Sequence, residues 1–178
     1  MPAKGQSGPA PGSPKAGPVH PDTRLGHVHL TVSDLDQALA FYRDLLGFEV
    51  TAWYGESAVF LSAGGYHHHI GLNTWAGKGA TAPPAGHTGL YHFAIVYPSR
   101  KELARAIKAL MDARYPLEGA SDHGVSEAIY LRDPDGNGIE LYADRPPELW
   151  PRDEEGKVVM YTRRLDIEDL LGELETER

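Results

Sequence analysis

The sequence predicts an α+β fold made of two β-α-β-β-β modules in tandem. Three observations predict it. The same order of strand and helix patterns occurs twice within residues 25–143. Each copy opens on a strand that carries a histidine near its start. The register between copies is kept, because His27 precedes the helix-start residue Asp34 by seven positions and His92 precedes Ser99 by the same seven. Self-similarity of this kind marks a repeated structural unit.

The elements follow in order. Residues 1–23 hold six prolines and four glycines with almost no large apolar side chain. Such a stretch cannot bury enough surface to offset its ordering entropy, so it is expected to be disordered, His20 included. LGHVHLTV (25–32) alternates and is β-branched, which predicts a strand. Ser33 or Asp34 then caps a helix on which Leu35, Ala38, Leu39, Tyr42, Leu45 and Leu46 share a face, and Gly47 ends it. Strands are expected at 48–54, 58–63 and 67–73, separated by Gly55-Glu56-Ser57 and by Gly64-Gly65. A loop rich in Gly, Ala and Pro covers 76–88, with His87 expected in solvent.

The second copy starts with the strand 90–97. Ser99 and Glu102 form a capping box for a helix over 100–113. A short segment around 116–121, a strand at 126–132, the turn Asp133–Gly138 and a strand at 139–143 complete it. Beyond lies a polar, Pro-rich extension with Trp150, a strand expected at 157–162 and a helix expected at 166–177, read as a packing or dimer element. The domain plan is therefore a tail (1–23), a duplicated domain (24–145, modules about 25–75 and 89–143) and an extension (146–178).

Composition narrows the function. The 178 residues carry 17 Lys+Arg against 25 Asp+Glu, a formal charge of -8. Nucleic acid and anionic membranes need a cationic footprint, so neither is expected as a partner. Cysteine is absent, which excludes disulfides, thiolate metal sites and cysteine nucleophiles. No apolar run reaches the ~20 residues of a membrane span, and no apolar leader precedes the domain, so a cytoplasmic protein is expected.

The chemistry-bearing residues lie on the repeated strands. Val28 and Leu30 flank His27 on the alternate face, and Tyr91, Phe93 and Ile95 do so around His92. Near the end of the second copy, Glu140 stands between Ile139 and Leu141, so its carboxylate also points away from the apolar face. One strand histidine alone is more often a hydrogen-bonded core or rim residue than a ligand. Two imidazoles at equivalent places plus one carboxylate match the open facial triad of non-haem Fe(II) oxygenases.

The motifs resemble the vicinal oxygen chelate (glyoxalase/bleomycin resistance/extradiol dioxygenase) superfamily over about 24–145. The first module's likeness rests on Gly26–Leu30, Asp34-Leu35, Ala40–Tyr42 and Leu46–Phe48, the second's on Asp133–Tyr142. The resemblance implies paired βαβββ modules forming a U-shaped, partly open barrel around a divalent metal, with His27, His92 and Glu140 as ligands. Within the superfamily, glyoxalase I enzymes carry a further acidic ligand where this chain has Gly71. Fosfomycin-modifying transferases are expected to need a cationic pocket, for which Arg132 is the main candidate. Bleomycin-binding members lack the metal set.

Extradiol catechol dioxygenases are the nearest likeness, and the run 65–75 resembles the N-terminal domain of the two-domain bacterial catechol 2,3-dioxygenases. The resemblance places the acid/base at His68 and a histidine and tyrosine near the substrate oxygens at His123 and Tyr130. Strict strand alternation puts His67 and His69 on one face and His68 on the other, and leaves open which faces the metal. A histidine titrating near ~6.5 suits proton transfer at neutral pH. Trp53, Phe60 and Trp75 are candidates to enclose an aromatic ring or to fill the core, and His29 to line the pocket.

The expectation is thus an Fe(II) enzyme (Mn, Zn or Ni as alternatives) that cleaves a small aromatic diol with O2. The substrate walls that a second domain supplies in the familiar extradiol enzymes are expected here from a homodimer partner, from residues 144–178, or not at all. The rivals are a glyoxalase-like metal-dependent lyase or transferase and a metal-free ligand-binding resistance protein.

Overall fold

A computed structural model describes residues 17–84 and 86–175. The expectation of disorder over 1–23 falls mostly outside these residues, and residues 17–23 are exposed without strand or helix.

Both modules form as the repeat predicts. In the first, β1 (Val28–Thr31), α1 (Leu35–Leu39), β2 (Glu49–Tyr54), β3 (Ala58–Ser62) and β4 (Ile70–Asn73) make a sheet ordered β1-β4-β3-β2. In the second, β5 (Phe93–Tyr97), α2 (Arg100–Asp112), β6 (Gly119–Asp122), β7 (Ser126–Arg132) and β8 (Gly138–Asp144) make a sheet ordered β5-β8-β7-β6. Opening strands pair in parallel with closing strands: β1 with β4 and β5 with β8. The repeat holds residue by residue, for His29 pairs with Gly71 and Ala94 pairs with Glu140.

The first helix departs from expectation. Asp34 caps it through the Asp36 and Gln37 N–H groups, but after Leu39 the chain widens into a π-helical turn over Ala40–Leu45. The extra residue lets consecutive side chains Phe41 and Tyr42 both turn inward, and both are buried. Phe41 packs on Tyr115 and Tyr42 on Phe93, so this helix joins the first module to the second. Gly47 adopts φ +84° and ends the helix as its position predicts. On α2, Leu103, Ala104, Ile107 and Leu110 are fully buried, and Ser99 accepts from the Glu102 N–H.

Residues 67–69, expected as strand, are not strand. The β2–β3 register shifts between Val50 and Ala52, and the hydroxyl of Thr51, inside that irregularity, donates to the His67 carbonyl at 2.8 Å. The alternation rule therefore does not govern the three histidines. Residues 157–162 are not strand either. The Asp153 carboxylate accepts from the Glu155 and Lys157 N–H groups, and this turn folds the segment back through an Arg152–Val158 bridge. The chain then joins the second sheet through β9 (Arg163–Arg164) on β6, and α3 (Ile167–Gly172) docks on α2 with Leu165 and Leu170 buried. The helix is shorter than the 166–177 expected, of which 176–178 lie outside the described residues.

Candidate functional site

The second sheet carries the more developed half. Gly138 opens β8 under β5, and a Cβ there would lie 2.1 Å from the Tyr91 carbonyl oxygen. That close approach brings His92, just before β5, beside Glu140 on β8. His92 Nε2 stands 3.1 Å from Glu140 Oε2, and the other carboxylate oxygen accepts from the Tyr130 hydroxyl at 3.1 Å. Tyr130 lies directly across the β7–β8 ladder from Glu140. Its hydroxyl also meets His123 Nε2 at 2.7 Å. Burial, reinforced by the Glu140 charge, pushes the Tyr130 phenol up to about 12, so it keeps its proton at neutral pH.

His92, His123 and Tyr130 face an open cavity of about 410 Å³ whose lining also includes Tyr91, Arg132 and Thr162. Arg132 is committed within the wall, donating to Glu118 at 2.7 Å and to the Gly136 carbonyl at 2.8 Å.

The first sheet carries the other half. His27 is exposed before β1, and the His68 ring packs on it with centroids 4.4 Å apart. Phe60 supports His68 at 5.0 Å, and His67 Nδ1 meets His68 Nδ1 at 2.7 Å. Of the three consecutive histidines it is therefore His68 that meets the proposed ligand, while His69 turns to the Ser62 hydroxyl at 3.1 Å. Burial, followed by repulsion from His27 and His67, holds the His68 imidazole below its ordinary value, so it stays neutral at neutral pH.

His29 packs between Phe60 and Trp75. Its ring covers Gly71, where an added Cβ would fall 2.9 Å from His29 Cγ. Trp53 and Trp75 are 54% and 60% exposed, so they are surface residues and not core. His87 is exposed, as expected.

Imidazole nitrogen and carboxylate oxygen suit Fe(II) and its neighbours in the first transition row, and His92 with Glu140 offers one of each. His27 makes no ion pair with Glu140. Among the described residues no three His, Asp or Glu side chains converge to hold a metal ion. The three residues expected as ligands from the sequence are therefore divided: His92 and Glu140 lie with the second sheet, His27 with the first.

Three contributors went unread in the sequence. Tyr42 donates to the buried Asp133 at 2.8 Å and ties the first helix to the turn that precedes β8. Asp135 accepts from the Ser33 N–H at 3.1 Å across the same junction. Tyr161 offers its carbonyl to His123 at 3.0 Å. Tyr42 sits in an ordinary helical stripe and Tyr161 acts through its backbone, so neither leaves a signal in residue type.

Comparisons agree with this architecture. A catechol-2,3-dioxygenase of Bacillus subtilis is 45% identical over 160 residues, 90% of this chain and 55% of that protein. Biphenyl-2,3-diol 1,2-dioxygenase 3 of Rhodococcus globerulus is 31% identical over 121 residues, 68% of this chain and 63% of that protein. The chain thus spans little more than half the length of these relatives. A lactoylglutathione lyase crystal structure from Agrobacterium tumefaciens superposes with a TM-score of 0.54 at 26% identity, covering 70% of this chain and 96% of that one. Residues 24–141 match the Glyoxalase/Bleomycin resistance protein/Dioxygenase superfamily, and with the duplicated sheets and their paired histidines in view, the chain belongs to that superfamily.

Proposed function

We propose that this chain is an extradiol dioxygenase that cleaves a catechol-like ring with O2, using Fe(II) held by His27, His92 and Glu140. The observation that carries this reading is the chain of contacts from His92 through Glu140 and Tyr130 to His123, of which His92, Tyr130 and His123 line one cavity. The two dioxygenase relatives support it. Bound iron would supply open positions for both oxygens of a catecholate and for O2.

The chain's own residues take the remaining tasks. Tyr130, holding its proton, donates to oxygen charge as it develops in the cavity. His123 orients that hydroxyl. His68, kept neutral by burial and by its imidazole neighbours, accepts a proton. The aromatic rim of Phe60 and Trp75 covers a flat apolar ring.

Because His27 stands apart from His92 and Glu140 in one chain, the ligand set closes between two copies. The His27–His68 face of one copy meets the His92–Glu140 face of another. The halves are complementary: the His27 and His68 imidazoles pack together on the first, and His92, the Glu140 carboxylate and the Tyr130 phenol stand together on the second.

The test is oxygen uptake with a catechol panel after anaerobic loading with ferrous ion. His68→Phe is expected to retain iron and to lose ~10²–10⁴ in turnover. Mixing inactive His27→Ala with inactive Glu140→Ala should restore about a quarter of the sites, since a mixed pair of copies rebuilds one of its two. No iron bound by the wild type, or a lyase activity without oxygen uptake, would overturn the dioxygenase reading. Mixed variants that stay inactive would place the ligand set within one chain.

A further inference from the structure

The superfamily match ends at residue 141, yet the chain beyond it returns to the cavity. Trp150 donates from its indole to the Arg145 carbonyl at 2.7 Å. The Tyr161 N–H donates to the His123 carbonyl at 3.3 Å, and β9 zips Arg163 and Arg164 onto β6. Leu165 and Leu170 bury their side chains, and Arg100 fastens α3 through Asp169 and Glu173 at 2.5 and 2.7 Å. A segment fixed at both ends lies across the edge of the second sheet, with Thr162 in the cavity wall.

We infer that residues 146–166 form a positioning strap whose Tyr161 carbonyl sets the tautomer and orientation of His123, and through it the hydroxyl of Tyr130. The kinetic part of this inference rests on the dioxygenase reading; the structural part does not.

A carbonyl oxygen only accepts, so His123 Nδ1, 3.0 Å from the Tyr161 oxygen, carries a hydrogen. The Thr162 hydroxyl, 3.3 Å from the same nitrogen, receives a share of that bond. In a neutral ring Nε2 is then an acceptor, and the group it faces is the Tyr130 hydroxyl at 2.7 Å. That hydroxyl has one proton for two acceptors, His123 at 2.7 Å and Glu140 at 3.1 Å. A proton arriving at Nε2 reverses the pair: His123 donates to Tyr130, and Tyr130 donates to Glu140. With the Tyr161 carbonyl weakened, Nδ1 keeps only the longer contact to the Thr162 hydroxyl, the preference between the two tautomers falls, and this coupling weakens.

Gly124 shows how closely the strap is seated. It adopts φ +80°, and a Cβ there would fall 2.7 Å from the Tyr161 ring and 2.9 Å from Pro151. Gly124→Ala must therefore lift the strap or strain its own backbone.

Two variants test the inference in the full-length protein. One is Gly124→Ala. The other replaces Thr162 by its α-hydroxy acid through semisynthesis, which turns the Tyr161–Thr162 peptide into an ester and weakens the Tyr161 carbonyl as an acceptor while leaving every side chain in place. The readout is the nitrogen chemical shifts of the His123 ring, recorded above the usual imidazole titration range. The wild type is expected to show a single Nδ1–H tautomer and the ester variant a mixture. Catechol turnover should fall several-fold in kcat with KM nearly unchanged. Should Gly124→Ala fail to fold, the ester variant alone decides. Identical His123 ring shifts in wild type and ester variant would overturn the strap. A wild type that shows the tautomer but turns over no catechol would overturn the dioxygenase reading and leave the strap standing.

Discussion

Tyr42→Phe removes one oxygen atom from the junction between the modules, and its effect can be worked from the contacts it makes. Tyr42 is fully buried and donates to Asp133 Oδ2 at 2.8 Å. Burial, followed by the Asp133 charge, pushes its phenol far upward, so the hydroxyl is always a donor. Asp133 is itself 4% exposed. Its Oδ1 accepts from the Asp135 and Asn137 N–H groups, and its Oδ2 from the Asn137 side chain and from Tyr42. Phenylalanine fills the same volume, so no cavity forms, and the loss is that of one hydrogen bond to a buried carboxylate. Such bonds contribute ~1.5–3 kcal/mol. For a chain of this size each kcal/mol moves Tm by ~2–4 °C, so Tm should fall by about 3–12 °C.

The same turn leads through Gly138 to Glu140, so the variant should also loosen the His92–Glu140 pair. Thermal unfolding followed by circular dichroism measures the first effect. A double-mutant cycle with Asp133→Asn isolates the pairwise term. A loss under ~0.5 kcal/mol, with no coupling in the cycle, would show that the turn satisfies Asp133 unaided and that the first helix does not hold the site hairpin.

Gly138→Ala places a Cβ 2.1 Å from a backbone carbonyl, so β5 and β8 must part, and His92 with them. The variant should lose ferrous ion affinity in equilibrium dialysis before it loses helical signal; unchanged affinity would deny the close approach its role. For Asp122, burial alone would raise the carboxyl, but Arg145 and the Gly124 N–H outweigh it and hold it below its ordinary value. With the folded value below the unfolded ~3.9, its contribution to stability is whole above that pH and is lost as pH falls through the folded value. Arg145→Met should flatten this acid limb in urea titrations between about pH 5 and 2; an unchanged slope would remove Arg145 as the cause.

The duplicated plan was legible because period and register are properties of residue spacing, and the spacing from His27 to Asp34 and from His92 to Ser99 survives in the folded chain. Glu140 was legible for the same reason: its apolar neighbours Ile139 and Leu141 are almost wholly buried and leave the carboxylate on the other face. The three histidines at 67–69 were not legible from alternation, since the irregularity at Thr51 is a property of the neighbouring strand. Nor was the π-helical turn, which arises from the need to bury Phe41 and Tyr42 together. The separation of His27 from His92 and Glu140 is a matter of how two sheets are set against each other, and no local pattern encodes that.

The repeat also explains why the two modules present unlike chemistry on like scaffolds, and this yields a last prediction. His29 and Gly71 pair in the first module at the places held by Ala94 and Glu140 in the second. One large side chain occupies each pair, on the opening strand in the first case and on the closing strand in the second. Glu140 has room because Ala94 is small, and Gly71 has no side chain because the His29 ring lies where its Cβ would be. Gly71→Glu by itself should therefore destabilise the fold by ~1–3 kcal/mol through overpacking. Adding His29→Ala, which copies the second module's pair into the first, should recover most of that loss. Urea unfolding of the wild type, the two single variants and the double variant gives the coupling directly. A coupling of ~1 kcal/mol or more in the restoring direction supports the exchange, and it would place a carboxylate beside His27, which among the described residues has no ion-pair partner. Strict additivity would mean that His29 and Gly71 do not share one space, and that the first module lacks its acid for a reason other than room.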